Sequence, residues 1–403
     1  MAGLRYAEFE NVALAPFEKL LPRLRGGLAA PEGLPDFCRH RRWGKPRDEA
    51  VRRDLSGSDR LHPDTGRKFV FGGIAHWHFG HMAAEFLHRL WILREPGFET
   101  ATVLFLGPEQ PPQLFREYMA YFGVSSWMTT DKPCVVTRLT IPEQGKTLGQ
   151  TPHPDYESFL NDLADRNGVN RGVGPEKLAV LRGHVPGRRF IGEASFESYL
   201  SRQGYVNYKP ENHALTDQLR TVSTARQLVI SDGSACHLFD LLPKCRMKTA
   251  LISRAAVAGP KTRDTLATRK SLADKSLSLS VFTETSRIAG PDNDGRQGPT
   301  ALRYVPLDCL IDFLKEHGFI PPEAPGMDTV PYFEDFRDYA ARHLMHQGRS
   351  TETHDVMIEL LAKALHEKNM QIEALEQKIG RPTVIWQSIK VLASEKAKAW
   401  LRI

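Results

Sequence analysis

Between Phe71 and Trp91 the chain gathers side chains suited to moving a proton: His76, His78 and His81, followed by Glu85 and Arg89. Gly72 and Gly73 precede them, as where a strand gives way to a loop. A helix starting near Gly80 places His81, Glu85 and Arg89 at i, i+4 and i+8 on one face. Met82, Phe86, Leu90 and Leu93 then form the apolar stripe of another. A carboxylate one turn from an imidazole orients the ring and strengthens it as a base, as removal of a hydroxyl proton requires. Two other readings stay open. His76 and His78 with His81 and Glu85 offer enough donors for a metal centre, although no later Asp or His cluster completes it. Histidines also pack in cores and cap helices.

A second constellation lies later. Arg182 ends the apolar run from Leu178, and Arg188 and Arg189 follow it. Leu228-Val-Ile230 then leads into Ser231, Asp232, Gly233, Ser234, Ala235, Cys236 and His237. Small residues entering a helix let a diphosphate approach backbone N–H groups, and the helix amino terminus adds roughly +0.5 of charge. Guanidinium groups supply forked donors for phosphate oxygens. Asp232 opposes an anion, so its side chain is expected to turn away or to bind sugar hydroxyls. The same small residues also make a tight turn, and Cys236 reads as a packing residue. Asp292-Asn-Asp294 has the form of a metal-holding acidic pair, but its Gly- and Pro-rich surroundings, Gly290 to Pro299, read as a turn.

The run from Gly80-His81 through Glu85 to Arg89-Leu90-Trp91 resembles a hallmark of glycosyltransferase family 61, whose bacterial members are associated with capsular and other surface polysaccharides. The later half is similar to the same family through Leu178–Arg182, Gly187–Ile191, Glu193, Gly204-Tyr205, Gln218 and Leu228–His237. Together these motifs span roughly residues 70–255. Asp232, Cys236 and Gly192 depart from the commoner Glu, Leu and Asn. The resemblance implies a GT-B-like architecture, two Rossmann-like domains facing across a cleft. It implies inverting transfer of a hexosyl or pentosyl group from a nucleotide sugar, foremost a UDP-sugar. The acceptor would be a hydroxyl of a surface or capsular polysaccharide or glycolipid. His81 oriented by Glu85, or else His78, would be the base. Arg182, Arg188, Arg189, Gly233, Ser234, Ala235 and His237, with Asp232 beside them, would bind the donor. No metal or other cofactor is expected. A metal-dependent hydrolase built on His76, His78 and His81, and a non-catalytic scaffold of the same fold, remain as alternatives.

These residues need rigid elements to hold them. Apolar runs at Phe69–Phe71, Thr102–Leu106, Val135–Leu139, Leu178–Leu181, Leu228–Ile230 and Thr249–Ile252 read as buried strands alternating with helices, an α/β pattern. Turn formers from about 142 to 174 suggest a junction. The expected domains are therefore 1–165 on the acceptor side, 170–345 for the nucleotide sugar, and a helical tail over 350–403. In that tail Ile358, Leu361, Leu365, Ile372, Leu375 and Ile379 follow heptad-like steps. They suit either one amphipathic helix packed on the body or a homodimer through 355–379. Val384 to Leu401, with its lysines, suits a basic amphipathic helix that docks on the body or touches an anionic membrane.

Composition bounds the rest. At 403 residues, 41% hydrophobic and 25% charged, the chain is neither disordered nor fibrous and is long enough for two domains. A net charge of +6 over this length permits anionic ligands, but no nucleic-acid-binding signature accompanies it, and nucleic acid is not an expected partner. The basic stretch from Arg39 to Arg53 reads as a solvated surface tract or a contact for anionic lipid. Five scattered cysteines, without a disulfide or zinc pattern, and no secretory leader favour a cytoplasmic location, with peripheral contact at the inner face of the membrane.

Overall fold

The computed structural model describes residues 3–327, apart from 20–23, 47, 50–57, 64–66, 173, 186–188, 254–262, 285 and 288–302. The tail expected over 350–403, the repeat through 355–379, Arg188 and the Asp292–Asp294 turn lie outside the described residues.

The chain opens with β1 (Tyr6–Lys19), β2 (Leu24–Ala29), the short hairpin arms β3 (Arg41–Arg42) and β4 (Lys45–Pro46), β5 (Asp48–Glu49) and β6 (Asp59–Leu61). Then come β7 (Phe69–Ile74), α1 (Phe79–His81), β8 (Thr102–Leu106), α2 (Gln113–Phe122), β9 (Trp127–Thr130), β10 (Cys134–Pro142) and α3 (Pro154–Arg166). Their strands build a mixed sheet in the order β5-β2-β1-β10-β7-β8-β9, with β6 also pairing β10. β7, β8 and β9 run parallel, whereas β1 lies antiparallel to β10. Because β7 is flanked by β10 and β8 and covered on both faces, all six of its residues are buried, which is why it reads as an apolar run. Along β8 the pleat sends Val103 and Phe105 into one core cluster and Leu104 and Leu106 into another.

The later half contains β11 (Lys177–Val180), α4 (Glu193–Arg202), β12 (Val206–Asn207), α5 (Leu215–Thr224), β13 (Gln227–Ser231), β14 (Lys248–Ile252), α6 (Arg263–Lys275) and β15 (Ser278–Phe282). Its five strands are all parallel, in the order β12-β11-β13-β14-β15. Counted from β11 this is 2-1-3-4-5, a doubly wound order that reverses direction between β11 and β13. Sheets of this kind bind ligands beyond the carboxyl ends of the strands at such a reversal. β16 (Ser286–Arg287), β17 (Arg303–Tyr304) and α7 (Leu307–Glu316) follow.

Both sheets belong to one compact unit, Met1–Leu181 with Glu197–Glu284 and Asp308–Gly326. Val70, Ile74 and Phe105 of the first sheet share a continuous core with Leu228, Ile230 and Leu251 of the second, and Tyr156, Phe159 and Leu160 of α3 lie within it. The stretch read as turn-rich thus contains a thirteen-residue helix, started by Pro154 at a position where proline is favoured. The second unit includes Arg182–Phe196 among the described residues. Within it the Glu193 carboxylate accepts from the backbone N–H groups of Arg182 at 2.9 Å and Phe190 at 3.0 Å, closing the loop between them. Among the described residues no helix is long and apolar enough to cross a membrane.

Candidate active site

The segment after β7 is not one regular helix. α1 lasts for three residues, a π-helical turn follows over Met82–Phe86, and a 3-10 turn takes over at Leu90–Arg94. The glycine pair at the end of β7 makes room for it. A side chain at Gly72 would stand 2.5 Å from Phe105 and Val103, while Gly73, at φ 123°, faces the Phe86 carbonyl where a Cβ would go. Met82, Phe86 and Leu90 are buried as the apolar stripe required.

The changes of helical pitch split the polar face expected for His81, Glu85 and Arg89. His81 and Glu85 stay together, with Nδ1 and Oε1 2.7 Å apart. Arg89 does not join them. It is 2% exposed, its Nη2 donates to the carbonyls of Cys38 and Arg39 at 3.0 Å each, and Nη1 donates to that of Pro142. This guanidinium ties the amino-terminal loop to β10 and is structural.

Glu85 is 1% exposed and holds three cationic or potentially cationic groups. Besides His81 on Oε1, its Oε2 accepts from Arg42 Nε and lies 3.5 Å from His40 Nε2. Burial alone would raise its pKa, but the hydrogen bonds from His40 and His81 and the Arg42 charge outweigh that and hold the carboxyl well below the usual range. A carboxylate can only accept, so His81 Nδ1–H points at Glu85, and in the neutral ring the lone pair is on Nε2. With its side chain 35% exposed, His81 is within reach of a substrate. The stretch read as a solvated tract therefore sends at least Arg42 and His40 inward.

His76 and His78 flank this pair. Their ring centroids lie 5.5 Å and 4.9 Å from that of His81. His76 Nδ1 accepts from the His78 backbone N–H at 3.0 Å, and burial, with the charges of His81 and His78, pushes its pKa down to about 4. Trp77 stacks on His76 and is 73% exposed. Among the described residues no three His, Cys, Asp or Glu side chains are placed to hold a metal ion, so a hydrolytic metal centre on His76, His78 and His81 is not favoured.

The later constellation arrives beside the first. From β13 the chain passes through Asp232 and Gly233 into a 3-10 helix, Ser234–Asp240. A Cβ at Gly80 would lie 3.0 Å from His237 Cδ2 and 3.3 Å from His78 Cε1, so α1 and this segment are in contact. The helix expected to follow the small residues is 3-10 rather than α. Seven residues of 3-10 geometry align few peptide dipoles, so anion binding at Ser234 and Ala235 rests on individual N–H groups rather than on a macrodipole. Three residues per turn do place His237 and Asp240 in line, and Nδ1 meets Oδ2 at 2.8 Å. Asp240 Oδ1 accepts from Lys146 Nζ and from Ser271 Oγ at 2.6 Å, and all three residues are buried. Burial, with the Lys146 charge close by, lowers the His237 pKa. Burial and the nearby Lys275 ammonium in turn lower the Lys146 pKa, against its contact with Asp240.

Asp232 is fully buried and accepts from Thr268 Oγ1 at 3.1 Å, turned into the protein as expected. Cys236, also fully buried, directs Sγ to the Ser231 carbonyl at 3.7 Å and packs. Arg182 and Arg189 lie in the second unit, where Arg189 Nη1 donates to the Gly183 carbonyl and the residue is 4% exposed. Sequence reasoning missed His40, Arg42, Lys146, Asp240 and Ser271. It also missed Arg269, whose Nη2 donates to Ser253 Oγ at 2.9 Å just beyond β14. Only Asp240, three residues after His237, carried a local signal.

The family model Glycosyltransferase 61 matches residues 79–252, less than half of the chain but inclusive of both histidine–carboxylate pairs. This match supports a glycosyltransferase activity. Among curated proteins none matches the chain.

Proposed function

We propose that the chain is an inverting glycosyltransferase of family 61. It moves a hexosyl or pentosyl group from a nucleotide sugar, a UDP-sugar first, to a hydroxyl of a surface or capsular polysaccharide or glycolipid. The observation that carries this reading is the pair of carboxylate-anchored imidazoles, His81–Glu85 and His237–Asp240, brought together at Gly80 within the family-matched span.

His81 Nε2 takes the proton of the acceptor hydroxyl while that oxygen attacks the anomeric carbon from the face opposite the leaving group. The bond from that carbon to the diphosphate oxygen breaks, and Glu85 stabilises the imidazolium that forms. His78, one ring away, is the other candidate for the base. The amides of Gly233, Ser234 and Ala235 receive the departing diphosphate, and these N–H donors let the step proceed without a metal ion; Arg182, Arg188 and Arg189 are donor-binding candidates on the resemblance alone. We read residues 1–165 as the acceptor side and 170–345 as the donor side of a GT-B-like enzyme. The enzyme works in the cytoplasm at the inner membrane face, with the tail over 350–403 as its contact to membrane or partner.

The test compares His81→Ala and His78→Ala. His81→Ala should lose about 10²–10⁴-fold in turnover, the contribution of a positioned base. Its UDP affinity, read from the rise in melting temperature with ligand concentration, should be kept. Near-parental turnover in both variants would refute the assignment, and absence of stabilisation by any nucleotide or nucleotide sugar would refute the donor class.

A further inference from the structure

His237 stands where a diphosphate ligand was expected, but its hydrogen bonding suits a different partner. Asp240 accepts from Nδ1 at 2.8 Å, and its other oxygen is engaged by Lys146 and Ser271. An ionised carboxylate has no proton to give, so the ring proton resides on Nδ1. Nδ1 is the one ring nitrogen hydrogen-bonded among the described residues. The imidazole is nearly enclosed, with 13% of the side chain exposed, and burial disfavours its charged form. What His237 presents at Nε2 is therefore a lone pair. Nucleoside diphosphate oxygens carry no proton near neutrality and would meet that lone pair with repulsion. A hydroxyl would donate to it.

Resting on the transferase reading above, we propose that His237 Nε2 accepts a hydrogen bond from a sugar hydroxyl and so acts as a specificity-determining residue. Its place supports this. It follows Gly233-Ser234-Ala235 by two residues along one 3-10 helix and touches Gly80, next to His81. A ring there lies between the amides assigned to the diphosphate and the base assigned to the acceptor, where the transferred sugar and the attacked hydroxyl must meet. Lys146 and Ser271 fix Asp240, and Asp240 fixes the tautomer. A sugar lacking the hydroxyl would leave an enclosed acceptor unsatisfied, which penalises it more than the loss of one contact.

The experiment uses the full chain and its His237→Phe and His237→Gln variants, with UDP, UDP-glucose and the deoxy analogues of UDP-glucose as probes. Failure of the unaltered protein to bind UDP would count against the transferase reading itself, and is seen before any variant is made. His237→Phe should bind UDP within twofold of the parent and bind UDP-glucose about 10- to 100-fold more weakly. It should also lose the parent's discrimination against one deoxy analogue. His237→Gln, whose carbonyl can accept at the same place, should recover part of the affinity. If UDP-glucose binding is unchanged while the acceptor KM rises and discrimination among deoxy acceptors disappears, the hydroxyl belongs to the acceptor and the inference stands. A drop in UDP affinity equal to that for UDP-glucose would assign His237 to the diphosphate and overturn it. So would deoxy discrimination, on donor and acceptor alike, that survives in His237→Phe.

Discussion

Glu85→Gln keeps the shape of a fully enclosed side chain and removes one charge from the centre of its network. Arg42, with 12% of its side chain exposed, would then face a neutral amide. At about 4 Å and an effective dielectric near 20, the lost attraction is about 4 kcal/mol. A neutral amide also needs less desolvation than an anion, so we expect a net destabilisation of about 2–4 kcal/mol. The catalytic effect should be larger. The amide has one carbonyl for two donors, Arg42 Nε–H and His81 Nδ1–H. If the permanently charged guanidinium takes it, the NH₂ group faces His81 and favours the tautomer with its proton on Nε2. That form cannot accept from a hydroxyl, and turnover should fall about 10²–10⁴-fold. Urea unfolding at pH 8 reads the first effect and steady-state transfer reads the second. The double variant Arg42→Met/Glu85→Gln tests the link between them, since removing the orphaned cation should restore stability and free the amide carbonyl to accept from His81 Nδ1–H, recovering part of the turnover. Turnover of Glu85→Gln within threefold of the parent, or a double variant that regains neither stability nor turnover, would refute the reasoning.

Three further outcomes follow from the same geometry. Gly80→Ala adds a methyl 3.0 Å from His237 and 3.3 Å from His78, so turnover should drop about tenfold with less than about 1 kcal/mol of stability change, and unchanged turnover would uncouple these rings from the chemistry. Arg89→Met leaves the carbonyls of Cys38, Arg39 and Pro142 without their buried donor, and urea unfolding should show a loss of about 3–5 kcal/mol. Stability should also fall in acid. His88 is fully buried against the Tyr156 hydroxyl, and burial pushes its pKa down to about 3, so the unfolded chain, near 6.5, binds the proton first. Its contribution is complete above about pH 6.5 and declines as pH falls towards 3, amounting to about 2 kcal/mol lost at pH 5. His40 and His237 shift in the same direction, and Glu85 adds its own loss only below about pH 4.5. A urea midpoint unchanged between pH 8 and pH 5 would contradict this.

The strands legible in the sequence are those buried on both faces. Phe69–Ile74, Thr102–Leu106 and Gln227–Ser231 announce themselves as apolar runs because neighbours cover them on every side. β1 does not. Glu8 and Glu10 alternate with Ala7 and Phe9, and such half-buried strands lack a continuous apolar signature. The same contrast holds for chemistry. His81 and Glu85 were visible because one turn of chain joins them, whereas Arg42 reaches Glu85 across 43 positions and Lys146 reaches Asp240 across 94, with no local pattern to mark either. Arg89 was misplaced because a uniform helical period was carried through a stretch whose pitch changes twice.

That change of pitch limits how this stretch can be altered in length. The β7–β8 pairing shifts register between Phe71 and Gly73, and the wide turn at Met82–Phe86 brings the Phe86 carbonyl against Gly73. One irregularity is accommodated by the other. A further residue beside Ala83-Ala84, taken up in ordinary helical winding, would swing every later side chain by about 100° around the axis. Arg89 would leave its carbonyls and Trp91 would leave the Glu143 oxygen that its indole N–H now reaches. Insertions between 71 and 91 should therefore survive only alongside a compensating change in the strand or the turn.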